Sequence, residues 1–167
     1  MDTKEFREYV TSSLSALSQA HALRPLPPST QPYANEYEAS FQNDTTVVTF
    51  EGINYGFGVN VRLASTSADQ MAFRSYDFDD LLAIRAPGFR RVEPGPHATN
   101  EIQRRQIDAY VAALDEFAAD VLGGDFAVFP LLARAIQERM NRYDRETEKV
   151  SAETERVSSK PWWKFWQ

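Results

Sequence analysis

Residues 36–63, EYEASFQNDTTVVTFEGINYGFGVNVRL, decide the fold. Tyr37, Ala39 and Phe41 alternate with Glu36, Glu38, Ser40 and Gln42, the period of a strand with one face in a core. Asn43-Asp44 is a turn pair, after which Thr46, Val48 and Phe50 alternate with Val47 and Thr49. Glu51-Gly52-Ile53-Asn54 reads as the next break. Tyr55, Phe57, Val59, Val61 and Leu63 then read as the clearest strand, opposite Gly56, Gly58, Asn60, Arg62 and Ala64. Met71 and Phe73 suggest a weaker fourth strand, with Arg74 outward. Short polar turns between consecutive strands predict an antiparallel meander of three to four strands, wet on one side.

Helical periods flank this meander. Upstream, Phe6, Val10, Leu14 and Leu17 recur at three- and four-residue spacing, with Tyr9 and Ser13 beside them, which predicts an amphipathic helix. It ends before Arg24-Pro25-Leu26-Pro27-Pro28, where proline removes amide donors and extends the chain into a rigid connector. Downstream, Asp77 or Asp79 caps a short helix carrying Leu81, Leu82 and Ile84, which Pro87-Gly88 stops. Residues 88–98 read as a loop. Asn100-Glu101-Ile102-Gln103 fits a capping box. Ile107, Tyr110, Val111, Leu114, Phe117, Ala118 and Val121 then form the best helical stripe, ended by Gly123-Gly124 in left-handed geometry. A last helix starts near Phe129-Pro130, with Leu132, Ala133, Ile136, Met140 and Tyr143 as its buried face. Ile136, Tyr143, Val150 and Val157 lie seven apart, but Thr147 and Thr154 between them weaken a coiled-coil reading. The fold class is therefore α+β in two layers: an N-terminal helix, the meander, then C-terminal helices. Residues 1–150 form one domain and 151–167 a polar linker with a Trp-rich tail.

Composition narrows the function classes. The chain has 167 residues, no cysteine, two histidines and a formal net charge of −6. Without cysteine there is no disulfide framework and no thiolate chemistry. No apolar run approaches the roughly 18 residues of a membrane span, and Met1-Asp2-Thr3-Lys4-Glu5 lacks the start of a signal peptide, so a cytoplasmic protein is expected. The acid excess argues against nucleic acid, whose binders neutralise phosphates.

Motifs for chemistry are few. His21 and His97 lie in distant segments, so no zinc site is expected, and no cofactor is. The Asp77-Phe78-Asp79-Asp80 run offers oxygen ligands for magnesium, although aspartates before Leu81-Leu82 more simply satisfy the free amides of a helix start. There is no G-x-S-x-G, and the G-x-G of Gly56–Gly58 lies in a strand without the following helix of a phosphate loop. Those glycines mark either a bulge or a close backbone approach. No catalytic residue is assigned. An enzyme would have to build its pocket from Asp77, Asp79, Asp80 and His97.

Aromatic residues, 13% of the chain, are the more informative feature. Tyr33, Tyr37, Tyr55 and Tyr76 sit at strand ends or beside acids, a composition suited to an interface with a basic protein. The partner-binding candidates are Glu36, Glu38, Tyr55, Tyr76, Asp77, Asp79 and Asp80. All three tryptophans fall in the last six residues, where Trp162, Trp163, Phe165 and Trp166 read as an attachment element. Three destinations stay open for them: this same domain, another protein, or a membrane surface.

In size, acidity and element order, residues 1–145 resemble the small acidic immunity proteins of bacterial contact-dependent and type VI competition systems. The resemblance is one of architecture, and no residue roles carry over. It implies a protein that binds and blocks one cognate toxin domain. A secretion chaperone for an effector shares the same size, charge and class, and a membrane-associated accessory protein would use the aromatic tail.

Overall fold

The computed structural model describes residues 1–30, 34–53, 58–93 and 99–158. The chain is α+β: α1 (Thr3–Ser13), α2 (Ser15–Ala20), β1 (Arg24–Pro25), β2 (Glu38–Gln42), β3 (Thr46–Ile53), β4 (Gly58–Ser65), β5 (Tyr76–Asp77), α3 (Phe78–Arg85), α4 (Asn100–Phe117), α5 (Ala119–Leu122) and α6 (Phe129–Ser158). The five strands form one antiparallel sheet in the order β1-β2-β3-β4-β5. Helix α1 lies against β2, α3 and α4 against β4, and α1 against α4.

Helices α1 and α4 start at side-chain caps. Asp2 caps α1 through a capping box with Glu5, satisfying amides the first turn leaves free. The buried face is the expected one: Phe6, Val10, Leu14 and Leu17. Its neighbours are also used. Tyr9 and Ser13 donate to the two carboxylate oxygens of Asp108 on α4, at 2.8 and 2.9 Å. Thr99 caps α4, its hydroxyl accepting from the Ile102 amide. The capping box expected from Asn100 and Gln103 does not form, because both side chains accept from the Met1 amino group. At the end of α3, Arg85 donates to the Phe117 carbonyl and to both oxygens of Asp120, each at 2.6 Å. That fixes α3 to the break between α4 and α5.

Both α2 and α5 end in the same six-residue wrap. Ala22 and Gly124 take left-handed backbone angles, φ 53° and 92°, and the amides of Leu23 and Asp125 return to the carbonyls of Ser18 and Asp120. This is the closure glycine favours. Gly124 has a second reason to be glycine: a Cβ there would lie 2.8 Å from the Thr45 hydroxyl. The carbonyls of His21 and Leu122, left over at these ends, both accept from Asn43 Nδ2, at 2.9 and 2.8 Å. Asn43 Oδ1 accepts from the amides of Thr45 and Thr46 and so shapes the β2–β3 turn. Thr46, fully buried, donates its hydroxyl to the Val121 carbonyl at 2.7 Å.

Three strand expectations are corrected, and Tyr55 and Phe57, expected to open the strand after the break, lie outside the described residues. Glu51-Gly52-Ile53 is not a break but the end of β3, and β4 begins at Gly58, paired with Ile53. The break was read from Gly52, whose amide instead donates to the Tyr37 carbonyl at 2.7 Å. Met71 and Phe73 form no strand. Met71 turns its sulfur to the Ser65 amide, and the last strand is the two residues Tyr76–Asp77. The proline connector also begins as a strand, Arg24 and Pro25 pairing with Gln42 and Phe41, on the sheet edge where proline is tolerated.

The compact unit closes at Leu132, and a second unit runs from Ala133 to Gln167. Phe129 and Leu132 are buried, whereas Met140 and Tyr143, expected in the core, are 49% and 69% exposed. The boundary expected at residue 150 falls inside α6.

Two substitutions test this packing. Asn43→Ala leaves two carbonyls and two amides without their partner and is expected to cost about 2–3 kcal/mol, lowering Tm by roughly 5–10 °C in a calorimetric melt. Asn43→Asp is expected to do no better, because it sets a carboxylate against the two carbonyls. The Tyr76 hydroxyl is buried without a partner, while its ring packs at a tilt against Phe129, centroids 4.6 Å apart. Tyr76→Phe is expected to be neutral, or stabilising by up to about 1 kcal/mol.

Candidate functional site

Strand alternation and register sort the sheet into rows. On the helix-covered face, Ala39, Phe50 and Val61 form one row and Phe41, Val48, Leu63 and Tyr76 the next, all of them buried. The opposite face carries the rows Glu38–Glu51–Asn60, Ser40–Thr49–Arg62–Asp77 and Gln42–Val47–Ala64. These side chains are half-buried, except for exposed Asp77. An open groove of ≈ 640 Å³ lies over this face, lined by Glu38, Thr49, Glu51, Arg62 and Arg74 among others.

Two carboxylates meet directly in the first row, Glu38 opposite Glu51. Like charges in that position are unfavourable. Arg62, diagonal to Glu51, pairs with it, and Ser40 donates to Glu38 at 3.1 Å while sharing a hydrogen bond with Thr49. Asn60 donates to Asp77 at 3.0 Å. The compensation is partial. Burial raises the Glu51 pKa above its usual 4.5, Arg62 opposes the shift, and Glu38 and Asp77 add to it. Arg62 keeps a buried Nε–H with no partner. The face thus presents polar groups of both signs on a rigid sheet, suited to binding and orienting a polar chain.

Two arginines reach strand carbonyls that lie beside the short outer strands. Beyond β1, Arg7 of α1 donates to the carbonyls of Glu36 and Glu38, at 2.7 and 3.0 Å. On the far side Arg91 donates to the Val59 carbonyl at 3.2 Å. These contacts cover strand carbonyls that would otherwise invite another strand.

The residues expected at a partner surface separate into groups. Glu38 and Asp77 lie on the uncovered face, and Glu36 is exposed at its approach. Tyr76 does not belong there, since it is 1% exposed and part of the core. Its place in a strand directed it to the covered row. Asp79 turns away from the sheet face to hold a clamp: Tyr110 donates to one oxygen at 2.8 Å and Arg91 pairs with the other at 2.8 Å. Burial and then the Asp79 charge push the Tyr110 pKa far up, so its hydroxyl stays a donor. Asp80 sits half-buried in the first turn of α3. Asp77 occupies the cap position of α3 but makes no side-chain cap bond. Asp77 and Asp79 therefore serve different surroundings and do not converge on one pocket. Tyr55, His97, Trp162, Trp163, Phe165 and Trp166 lie outside the described residues. Among the described residues, no cluster of three or more metal-ligating side chains occurs, and no helix is long and apolar enough to cross a membrane.

Glu51, Arg62 and Arg74 were not singled out from sequence. The signal existed: carrying the two-residue alternation of β3 through Ile53 places Glu51 beside Glu38. No protein-family model, curated protein or solved structure matches the chain.

The raised Glu51 pKa has a definite sign for stability. Between the unfolded and folded pKa values the folded protein holds a proton that the unfolded chain has released, so this contribution is full below the usual value and lost as pH rises through the raised one. Glu51→Gln is expected to remove that fall from the stability–pH profile measured by denaturant melts just above pH 4.5. An NMR titration of the Glu51 carboxyl should show a midpoint above that of exposed glutamates.

Proposed function

We propose that the chain is an immunity-type inhibitor, which takes a basic segment of one cognate protein onto the uncovered face of its sheet and so blocks that protein. The observation that carries this reading is the opposed pair Glu38 and Glu51 on an open groove of the sheet face. One arginine, Arg62, pairs with Glu51, and a cationic side chain from a partner would complete the compensation of Glu38. A like-charge pair on a half-buried sheet face costs stability, and strain of that kind is understandable where a ligand relieves it. The net charge of −6 supports the same partner, since it steers a cationic domain toward the protein.

Two features favour a protein partner over a small-molecule substrate. The groove is broad and open, without the enclosing apolar walls of a typical small-molecule site. Arg7 and Arg91 occupy carbonyls on or beside β2 and β4 next to the short outer strands, which shortens the edge open to strand addition and favours side-chain recognition across the face.

The test begins with co-purification of the chain with the product of its adjacent gene. Stopped-flow association with that product is then measured at low and physiological salt. Glu38→Arg is expected to slow association by tenfold or more at low salt, while Glu116→Arg, an exposed position on α4, makes the same charge change with little effect. Equal effects of both variants, or an on-rate indifferent to salt, would remove the sheet face from the mechanism.

A further inference from the structure

The second unit carries an apolar stripe along one face of α6. Helix α6 continues from Phe129 to Ser158, well past Leu132, the last buried one among the residues whose burial is described. An isolated helical stretch gains little from its backbone alone, and most helices in proteins depend on packing an apolar face. Here Ala133, Ile136, Met140, Tyr143, Thr147 and Val150 alternate at spacings of three and four residues, which places them on one face. Ala133 and Ile136 are half-buried, and Met140, Tyr143 and Val150 are 49%, 69% and 66% exposed. The stripe spans about 27 Å of helix at 1.5 Å per residue.

We propose that this stripe is a dimer seam and that its occupant is α6 of a second copy of this chain, running antiparallel. The sequence order of the stripe is what selects the occupant. Laid antiparallel, the pattern is self-complementary: Met140 faces Tyr143, Ile136 faces Thr147, and Ala133 faces Val150, each contact occurring twice about the twofold axis. Large residues then meet smaller or more flexible ones, as interdigitated packing requires, and the unbranched Met140 adapts to the Tyr143 ring. A parallel, in-register pair would set Ala133 on Ala133 and Tyr143 on Tyr143, leaving a gap at one layer and crowding at another. Charge agrees with the antiparallel order. Arg139 and Glu146 flank the stripe on the same side and would face each other across the seam twice, the position at which flanking charges set orientation. Gln137 would face Asp144, without repulsion. Thr147, whose hydroxyl donates to the Tyr143 carbonyl of its own helix at 2.9 Å, enters such a seam with its polar atom already bonded.

Sedimentation velocity on the full chain, from low micromolar to submillimolar concentration, tests the proposal. A monomer–dimer equilibrium is expected, and Met140→Lys with Tyr143→Lys should shift it at least tenfold toward monomer. The thermal transition of the compact unit should stay unchanged, because both positions are exposed. A wild-type protein that is monomeric throughout, or a dimer indifferent to the two lysines, overturns the proposal. Orientation is read separately, and the absence of native cysteine makes the reading clean. A mixture of Ala133→Cys and Val150→Cys chains should give the mixed product with a short thiol-specific cross-linker. Efficient cross-linking of Val150→Cys chains to one another, with none of the mixed product, overturns the antiparallel seam.

Discussion

Helix ends leave carbonyls without partners, and in this protein one side chain answers for two of them. The Asn43 amide donates to the carbonyls at the ends of α2 and α5, while its oxygen receives the amides of the β2–β3 turn. Three segments far apart in sequence therefore share one planar group. The arrangement works only because both helices close with a left-handed residue, Ala22 and Gly124, which turns the chain and leaves those carbonyls directed outward. Thr46 adds a parallel link, from the second residue beyond the turn pair to Val121. With the turn fixed, the register of β2 against β3 is fixed, and with it the face on which every side chain of the sheet lies. A slip of β2 by one residue would send Ala39 and Phe41 to solvent and bring Glu38 and Ser40 into the core.

That register is also what makes a site. The same alternation that buries Ala39, Phe50 and Val61 sets Glu38, Glu51 and Asn60 in line on the other side. The polar face is thus a by-product of core formation in its geometry, but not in its composition. Threonine or serine opposite Glu51 would serve the fold better than Glu38 does. Arg7 and Arg91 complete the picture at the margins. Each comes from outside the sheet and occupies carbonyls beside the short outer strands, where an extending strand would otherwise pair.

Much of the architecture was legible because it follows from period alone. The buried stripe from Phe6 to Leu17, the one from Ile107 to Val121 and the alternation through Phe50 are all visible in the sequence, although each helical stripe is carried by two helices, α1 with α2 and α4 with α5, where one was expected. The misreadings share a physical cause, a local signal overridden by a distant partner. Gly52 and Pro25 look like interruptions, yet each sits in a strand because a neighbour accepts the exception: Tyr37 takes the Gly52 amide, and the outer edge of β2 tolerates a proline. Asn100 and Gln103 spell a capping box, but the Met1 amino group claims both side chains. Tyr76 was judged by its acidic neighbours, whereas its row in the sheet decides its burial. For the site, legibility stopped at Glu38 and Asp77. Glu51 and Arg62 became visible only once β3 was known to continue past Gly52, since their pairing depends on cross-strand register and not on spacing in the chain.

The sequence pattern of α6 reads differently once the burial of its neighbours is known. On spacing alone, Ile136, Met140 and Tyr143 belong to a core, because apolar residues at three and four are the mark of a covered face. But the core is complete without them: Phe129 packs on Tyr76 and Phe126, Leu132 is fully buried, and the compact unit ends there. An apolar stripe in surplus of what one domain can use is a statement about a second surface. The threonine at 147, which weakens the stripe as a permanent seam, suits an association that forms and dissolves with concentration. The two surfaces are thus built on opposite principles. The sheet face is polar and held rigid by the register that Asn43 sets, whereas the helix face is apolar and outside the compact unit. A charge substitution on either is expected to leave the core intact.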